Sequence, residues 1–317
     1  MDLSRFELPQ PVYVTVDGIQ IATYELVAGS RDTAAEVVFC HGTPWSARIW
    51  ADVATQLGDG YRVLLWDMPG YGRSAKGPEV RTDLVSQLSR LTGLLDHWQL
   101  ESPHVVAHDI GGAVALGAHL LNGSDYASLF LWDVVTLEPW GSPFFRLVAE
   151  HPEVFAALPA ALHMAVVREY ISGAARNPLG DEMIAALSTP WQGELGQRAF
   201  YQQISELRVE DTEPVAERLS QVRCATAIGW GEHDRWIPLE HAARLQRLLP
   251  GKPHLTTVFD VGHLVPVEAS ERVWCALGDW ITSIDIQHNG KPDAGEGAAR
   301  GRPATPGRTS KGQTKRC

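Results

Sequence analysis

Three polar residues, each at the end of an apolar segment, offer a nucleophile, an acid and a base. Asp109 lies in VAHDIGG, Asp234 in GWGEHD and His263 in DVGH. A small-x-nucleophile-x-Gly turn between a strand and a helix exposes its central side chain at the carboxyl edge of a sheet. The helix N-terminus at such a turn favours an anion, which suits an ionised Asp109. The order nucleophile, acid, histidine along the chain is the one expected for a triad built around this turn.

The nucleophile of this set is a carboxylate, which limits the chemistry. Attack on an ester carbonyl would give a reactive anhydride, whereas displacement at a saturated carbon gives an alkyl-enzyme ester on Asp109. His263, oriented by Asp234, would then remove a proton from water, and that water would attack the ester carbonyl. The backbone N–H groups of Thr43, in HGTP, and of Ile110 would stabilise the oxyanion. Capping of a helix by Asp109 is the competing interpretation, and the coincidence of four such turns disfavours it.

The elements that must position these residues follow an alternating pattern. Strand-like runs alternate with helical patterns through the first 135 residues, which predicts a mostly parallel sheet flanked by helices. An Asp-Gly pair at 17–18 predicts that the sheet opens with an antiparallel hairpin. The predicted strands are Val12–Val16, Ile19–Val27, Glu36–His41, Arg62–Asp67, His104–Asp109, Leu129–Asp133, Thr226–Trp230 and Leu255–Phe259. The catalytic candidates all follow strands of this set.

The middle of the chain changes pattern. Residues 136–212 contain helix-like segments without a convincing strand, which predicts a helical cap inserted into one α/β core formed by residues 1–135 and 213–286. Residues 287–317 are rich in Gly, Pro and Ala, lack aromatic residues and carry a net charge of +5. Such a segment cannot bury enough apolar surface to offset its ordering entropy, so we predict a disordered basic tail.

The motifs HGTPWS, WDMPGYGRS, VAHDIGG, GWGEHDRWIP and DVGHLVP make residues 11–284 resemble the α/β-hydrolase superfamily. Within it the chain is similar to the Asp-nucleophile branch of epoxide hydrolases and of haloalkane or haloacid dehalogenases. The resemblance implies the α/β-hydrolase fold and a cofactor-free hydrolase, with epoxides as the leading substrate class. It also implies that cap tyrosines donate to the epoxide oxygen; the candidates are Tyr201, which we favour, and Tyr170. A cap tryptophan such as Trp191 would contact the substrate, for example as a donor to halide.

Two other activities stay open on the same residues. Dehalogenation is one, although Ile110 stands where haloalkane dehalogenases usually have Trp and haloacetate dehalogenases usually have Arg. The other is a lyase, isomerase or cyclase of secondary metabolism in which Asp109 serves as base or anchor. The complete acid–base pair disfavours a non-catalytic receptor. Asp133 is an alternative triad acid, because some relatives resembling haloacetate dehalogenases take their acid from that position; we favour Asp234.

Composition excludes several other classes. The chain has 317 residues, enough for one catalytic domain with a cap, and a formal net charge of −11. That charge argues against nucleic acid and an anionic membrane as partners, and the triad predicts a small-molecule substrate. Four cysteines without a CxxC pair indicate a reduced, cytoplasmic protein. We find neither a signal-peptide pattern nor an apolar run of about 18 residues, and no HxH or HExxH spacing that predicts a metal.

Overall fold

A single eight-stranded sheet organises the protein. The computed structural model describes residues 2–27, 35–57 and 60–289, with side chains described up to residue 286. The strand order is β1-β2-β4-β3-β5-β6-β7-β8. The strands are β1 (Val12–Val16), β2 (Ile19–Val27), β3 (Ala35–Cys40), β4 (Tyr61–Trp66), β5 (His104–His108), β6 (Ser128–Trp132), β7 (Ala225–Gly231) and β8 (His254–Val258). Strands β1 and β2 pair antiparallel, as do β2 and β4, and all other neighbours are parallel.

The burial of each strand explains its sequence. Strands β5 and β6 are buried along their whole length, because helices cover both faces of the parallel part of the sheet. Strand β1 lies at the edge and leaves Val12 and Tyr13 exposed. The predicted hairpin is present: Asp17 and Gly18 form its turn with φ values of 51° and 77°. The predicted fold, a mostly parallel sheet flanked by helices, is confirmed.

In the described parts of the chain, six α-helices flank the sheet outside the segment between β6 and β7. They are α1 (Ala51–Leu57), α2 (Leu84–His97), α3 (Ile110–Leu120), α10 (Glu240–Leu248), α11 (Val265–Glu268) and α12 (Ser270–Asn289), the last two following β8. Helix α2 begins at Asp83, whose carboxylate accepts from the N–H of Ser86 at 3.0 Å. Its leucines recur at helical spacing and are buried, so that this face packs against α3.

Helices fill the segment between β6 and β7. They are α4 (Pro143–Glu150), α5 (Pro152–Ala156), α6 (Ala160–Ala174), α7 (Asp181–Ser188), α8 (Gly193–Glu206) and α9 (Glu213–Ala216). No strand occurs between residues 133 and 224, all of which the structure describes. The predicted cap, residues 136–212, falls within this segment, and its helices α6 and α8 carry Tyr170 and Tyr201, respectively.

The first three residues of the predicted disordered tail, 287–289, are instead helical, since α12 ends at Asn289, and the rest of the tail lies outside the described residues. Within the part of the chain that the structure describes, no helix combines the length and the apolarity that crossing a bilayer requires.

Candidate active site

Asp109 occupies the turn between β5 and α3 in a conformation that few non-glycine residues adopt. Its φ of 54° and ψ of −130° lie outside the common regions, so the turn is strained and must be held by its surroundings. The Asp109 N–H donates to the carbonyl oxygen of Trp132 at 3.2 Å. The Asp109 carbonyl oxygen accepts from the N–H groups of Gly112 at 2.9 Å and Val135 at 3.0 Å. These backbone bonds fix the direction of the side chain.

Two glycines permit the close approach around this turn. A Cβ atom on Gly111 would lie 2.3 Å from the carbonyl oxygen of His41. A Cβ atom on Gly42 would lie 2.3 Å from the Asp109 Cβ. The loop after β3 can therefore touch the nucleophile turn only because both positions lack a side chain.

The two predicted oxyanion donors, the backbone N–H groups of Thr43 and Ile110, both interact with the Asp109 carboxylate. The Thr43 N–H donates to Asp109 Oδ1 at 2.7 Å. The Ile110 N–H, the first of α3, also interacts with the carboxylate and helps to lower its pKa. Backbone N–H groups in this position would hold negative charge on the same oxygen during ester hydrolysis.

His263 and Asp234 complete a buried acid–base chain. The other Asp109 oxygen, Oδ2, lies 3.3 Å from His263 Nε2. On the far side of the ring, His263 Nδ1 lies 2.8 Å from Asp234 Oδ2. Asp234 Oδ1 accepts from the backbone N–H groups of Trp236 at 2.7 Å and Ile237 at 2.9 Å. The Asp234 carboxylate is thus fixed by three donors and in turn fixes the imidazole.

The charged groups of Asp109, His263 and Asp234 influence each other's protonation. Burial alone would lower the pKa of His263, but the ionised Asp234 and Asp109 outweigh it and raise that pKa well above its usual value. Burial would raise the pKa of Asp109, and the imidazole of His263, 3.3 Å from Oδ2, lowers it instead. The resting site therefore contains an imidazolium between two carboxylates.

The neighbouring histidines hydrogen-bond the backbone. His108 Nε2 lies 2.8 Å from the carbonyl oxygen of His263, and burial lowers the pKa of His108 to about 3. The neutral ring therefore donates from Nε2 and orients the backbone of His263. His41 Nδ1 lies 2.8 Å from the carbonyl oxygen of Gly42, while its Nε2 accepts from the Met68 N–H at 2.9 Å. Both rings support the loops that carry the reacting groups.

Two spaces with a partly shared lining lie near the candidate site, and Asp109 lines the smaller one. The inner cavity, lined by Asp109, Thr43, Ile110 and cap residues, measures about 30 Å³, room for roughly two water molecules. The outer chamber lies between α4 and α6 and measures about 550 Å³. Its size is within the range of about 300–1,000 Å³ that small-molecule sites have. Ser142, Tyr170 and Trp236 line both spaces.

Of the predicted substrate residues, the structure brings Tyr170 to the inner cavity. Its ring stacks on Trp236 with centroids 4.5 Å apart. Burial, then the negative charge of Asp109, raises the pKa of Tyr170, so its hydroxyl stays protonated into alkaline solution. A protonated tyrosine therefore lines the cavity that Asp109 also lines.

The structure does not bring Tyr201 or Trp191 to either space. The Tyr201 hydroxyl lies 3.0 Å from Nδ1 of His163, whose Nε2 lies 2.8 Å from the Trp191 carbonyl oxygen. The Trp191 indole N–H donates to the carbonyl oxygen of Pro44 at 3.1 Å. Both side chains are fully buried and their polar atoms are already hydrogen-bonded, so they support the cap.

Two residues at the site did not emerge from the sequence. Gln203, on α8, accepts hydrogen bonds from the hydroxyls of Thr43 and of Tyr71, the latter at 2.8 Å. It therefore connects the loop that carries Thr43 to the cap. The other is Trp236, whose backbone holds Asp234 and whose ring lines both spaces. The position of Trp236, two residues after Asp234, is the sequence signal that could have identified it. For Gln203 there is no such signal, because nothing in the sequence indicates which face of α8 meets Thr43.

One group of side chains among the described residues has the proximity of a metal site. Asp133, Asp234 and His263 each offer one ligand atom, and these atoms lie within 4.8 Å of one another. His263 Nδ1, however, faces Asp234 at hydrogen-bond distance, and a protonated ring nitrogen has no lone pair for a metal. The arrangement suits proton transfer. Asp133, the alternative acid, accepts from the Gly231 N–H at 2.7 Å.

Comparison with known proteins identifies the family of this chain. Residues 37–274 match the model of the alpha/beta hydrolase family. An uncharacterized hydrolase of Bacillus subtilis is 28% identical over 278 residues, which cover 84% of this chain and 96% of the relative. A 2-hydroxy-6-oxo-2,4-heptadienoate hydrolase of Pseudomonas putida is 26% identical over 280 residues, 86% of this chain and 96% of the relative.

Solved structures show the same likeness. An alpha/beta hydrolase fold protein from Burkholderia ambifaria superposes with a TM-score of 0.81 and 37% identity, covering 86% of this chain and 98% of that chain. A haloalkane dehalogenase from Bradyrhizobium elkani superposes with a TM-score of 0.75 at 21% identity, covering 87% and 98%, which shows a shared fold. The family model spans well over half of the sequence, and the B. ambifaria protein is similar along nearly its whole length. This chain belongs to the alpha/beta hydrolase family.

Proposed function

We propose that the protein hydrolyses epoxides through an alkyl-enzyme ester on Asp109. One observation carries the proposal: the two oxygens of Asp109 have different partners. Oδ1 accepts from the Thr43 N–H at 2.7 Å, and Oδ2 faces His263 at 3.3 Å. An oxygen held by backbone donors stays the carbonyl oxygen of an ester, so Oδ2 is the atom that attacks. Tyr170 lines the same cavity, and its hydroxyl would protonate the opening ring.

In the first step, Oδ2 forms a bond to one epoxide carbon as the carbon–oxygen bond of the ring breaks. The departing oxygen takes the proton of Tyr170. Formation of the ester removes the negative charge of Asp109, and with it one of the causes that raise the pKa of His263. The imidazolium then gives its proton to the tyrosinate. The site now contains a neutral imidazole, a neutral Tyr170 and the ester.

In the second step, neutral His263 removes a proton from water as that water attacks the carbonyl carbon of Asp109. The N–H groups of Thr43 and Ile110 hold the oxyanion on Oδ1, and each such donor is worth about 3–4 kcal/mol. Collapse breaks the bond between the carbonyl carbon and Oδ2. The diol leaves with Oδ2 and takes its proton from the new carboxylic acid, which restores ionised Asp109 and protonated His263.

The two spaces suggest the shape of the substrate. The inner cavity, at about 30 Å³, accepts only a small reacting group, such as the unsubstituted end of an epoxide. The rest of the molecule would lie in the outer chamber, whose lining includes Phe144, Val166 and Trp236. Glu169 is the one charged side chain on that lining, and it disfavours an anionic substrate. A terminal epoxide with an uncharged, apolar body therefore fits best.

A single turnover in ¹⁸O-labelled water, with enzyme in excess over styrene oxide, tests the ester. We expect the label in Asp109 and not in the diol, because water attacks the enzyme's own carbonyl carbon. His263→Gln removes the base and should let the ester accumulate as a mass adduct on Asp109. Converted substrate with unlabelled Asp109 would eliminate the ester mechanism.

Tyr170→Phe tests the proton donor. Loss of a general acid should slow epoxide opening by about 100-fold to 10,000-fold, while displacement of halide, which needs no proton, stays within a few-fold. Tyr201→Phe is the matched control, because that hydroxyl bonds His163 within the cap. The rates of ester formation on styrene oxide and on 1-bromobutane are measured for each variant. Equal effects of the two substitutions would remove Tyr170 from the mechanism.

A further inference from the structure

Asp133 is a second buried carboxyl group beside the acid–base chain. It directly follows β6, with a φ of 45°, and its N–H donates to the carbonyl oxygen of Gly229 at 3.1 Å. Its Oδ1 accepts from the Gly231 N–H at 2.7 Å. The side chain has no exposure to solvent. Neighbouring strands β6 and β7 thus deliver Asp133 and Asp234 to the same place, because each acid follows its strand.

The oxygens of these two acids have unequal partners. Asp234 accepts from three donors, which are the imidazole of His263 and the N–H groups of Trp236 and Ile237. Asp133 accepts from one, and its Oδ2 is buried without a hydrogen-bond donor. One oxygen of Asp133, one of Asp234 and one nitrogen of His263 lie within 4.8 Å of one another. Two ionised carboxylates this close in a buried site would repel each other, and the oxygen of Asp133 would remain unsatisfied.

We propose that Asp133 is a neutral carboxylic acid whose O–H donates a hydrogen bond to Asp234. If Asp234 lost its charge, Asp133 would ionise and supply the negative charge near His263; we call this the reserve charge. One proton satisfies the orphaned oxygen and removes the repulsion. The proton belongs on Asp133 because Asp234 has three donors that favour its ionised form, and Asp133 has one. Asp133 is in this sense a positioning residue: it acts on His263 through Asp234.

The environment of Asp133 supports this protonation. Burial, and next the negative charge of Asp234, raise the pKa of Asp133 well above its usual value. The charge of His263 and the Gly231 N–H oppose the rise and are the smaller effects. Part of this rise comes from the negative charge of Asp234, so the protonation of one acid is linked to that of the other and the two share one proton.

The reserve charge has a consequence that can be measured without substrate. In Asp234→Asn, the repulsion is gone and Asp133 ionises within reach of the ring. His263 then keeps a raised pKa. In Asp133→Asn, Asp234 stays ionised, and the pKa of His263 stays raised as well. In the double variant, neither charge remains on that side of the ring, and the proton-binding constant of His263 should fall at least ten-fold below that of either single variant.

Two measurements on the full chain test the proposal. The first is an NMR titration of the His263 imidazole in the natural protein and the three variants. The second is the infrared carbonyl band of a protonated carboxylic acid at neutral pH, taken as a difference spectrum against each variant. The band should be lost in Asp133→Asn and also in Asp234→Asn, because the shared proton requires both acids. Asp52→Asn is the control, since Asp52 is equally buried but ion-paired with Arg5 at 2.7 Å.

The outcomes separate clearly. A His263 pKa that falls as far in Asp234→Asn as in the double variant would overturn the reserve role. An infrared band that survives in Asp133→Asn would overturn the assignment of the proton. Because neither measurement involves turnover, both results stand whether or not the protein opens epoxides, and failure of the ester experiment leaves them untouched.

Discussion

Replacing Asp109 by Asn should release the proton of His263. The two charged atoms lie 3.3 Å apart in a buried site. Two unit charges at this distance attract by about 1 kcal/mol in water and by about 5 kcal/mol at an effective dielectric constant of about 20. Since about 1.4 kcal/mol corresponds to a ten-fold change in proton binding, Asp109→Asn should weaken proton binding by His263 between roughly ten-fold and a few thousand-fold. The direction follows from the removal of a negative neighbour, which lowers the pKa.

The assay is an NMR titration of the His263 ring in the natural protein and in Asp109→Asn. Asparagine keeps the shape of the side chain and can still accept from the Thr43 N–H, so it also imitates the uncharged ester. Asp52→Asn, which removes a buried carboxylate elsewhere, should leave the titration unchanged. A His263 pKa that does not fall in Asp109→Asn would falsify the idea that alkylation of the nucleophile converts the imidazolium into a base.

Three further predictions concern packing and pH. Gly42→Ala should abolish ester formation while the protein still folds, because the new Cβ would lie 2.4 Å from Asp109 Oδ1; mass spectrometry with styrene oxide detects the adduct. Gly278→Ala, in α12 with open space around it, should raise the free energy of unfolding by about 0.5–1 kcal/mol, measured by urea denaturation. The raised pKa of His263 stabilises the folded state at neutral pH, and this contribution is lost as the pH rises through that pKa. Between neutral and alkaline pH, the free energy of unfolding of the natural protein should therefore decrease more than that of Asp109→Asn.

The core of the fold was predictable because burial determines the pattern of its strands. Parallel strands covered on both faces require continuous apolar runs, and VVFC in β3 and SLFLW in β6 have this property. The strand ends then locate Asp109, Asp234 and His263, because the carboxyl ends of parallel strands meet at one edge of a sheet. The predicted strand boundaries differ from the observed ones by at most one residue, which is the usual uncertainty at element ends.

The cap was predictable only as helical. Tyr170 and Tyr201 both lie on helices with apolar faces, and the sequence favoured Tyr201. Which tyrosine faces Asp109 depends on how α6 and α8 lie over the sheet, and contacts between distant residues decide this. The hydrogen bond between Tyr201 and His163, which are 38 residues apart, is one such contact. No local pattern encodes it.

The preference between Asp133 and Asp234 illustrates a different limit. Treated as alternatives, the two acids compete for one role, and the sequence offers no reason to keep both. In the folded protein β6 and β7 are neighbours, with Trp132 paired to Gly229, so the acids that follow them converge on one imidazole. A single strand-pairing register therefore turns two candidate acids into one interacting pair.

Charge balance explains why such a crowded site can remain buried. With Asp133 neutral, the resting site holds two carboxylates and one imidazolium, for a net charge of −1. In the proposed mechanism, ester formation makes Asp109 neutral and His263 gives up its proton, so the net charge would again be −1. Each covalent step is thus matched by a proton transfer, and the protein never has to accommodate a second uncompensated charge away from water. An ionised Asp133 would break this balance at every stage, which is why its proton matters for the chemistry and not only for the fold.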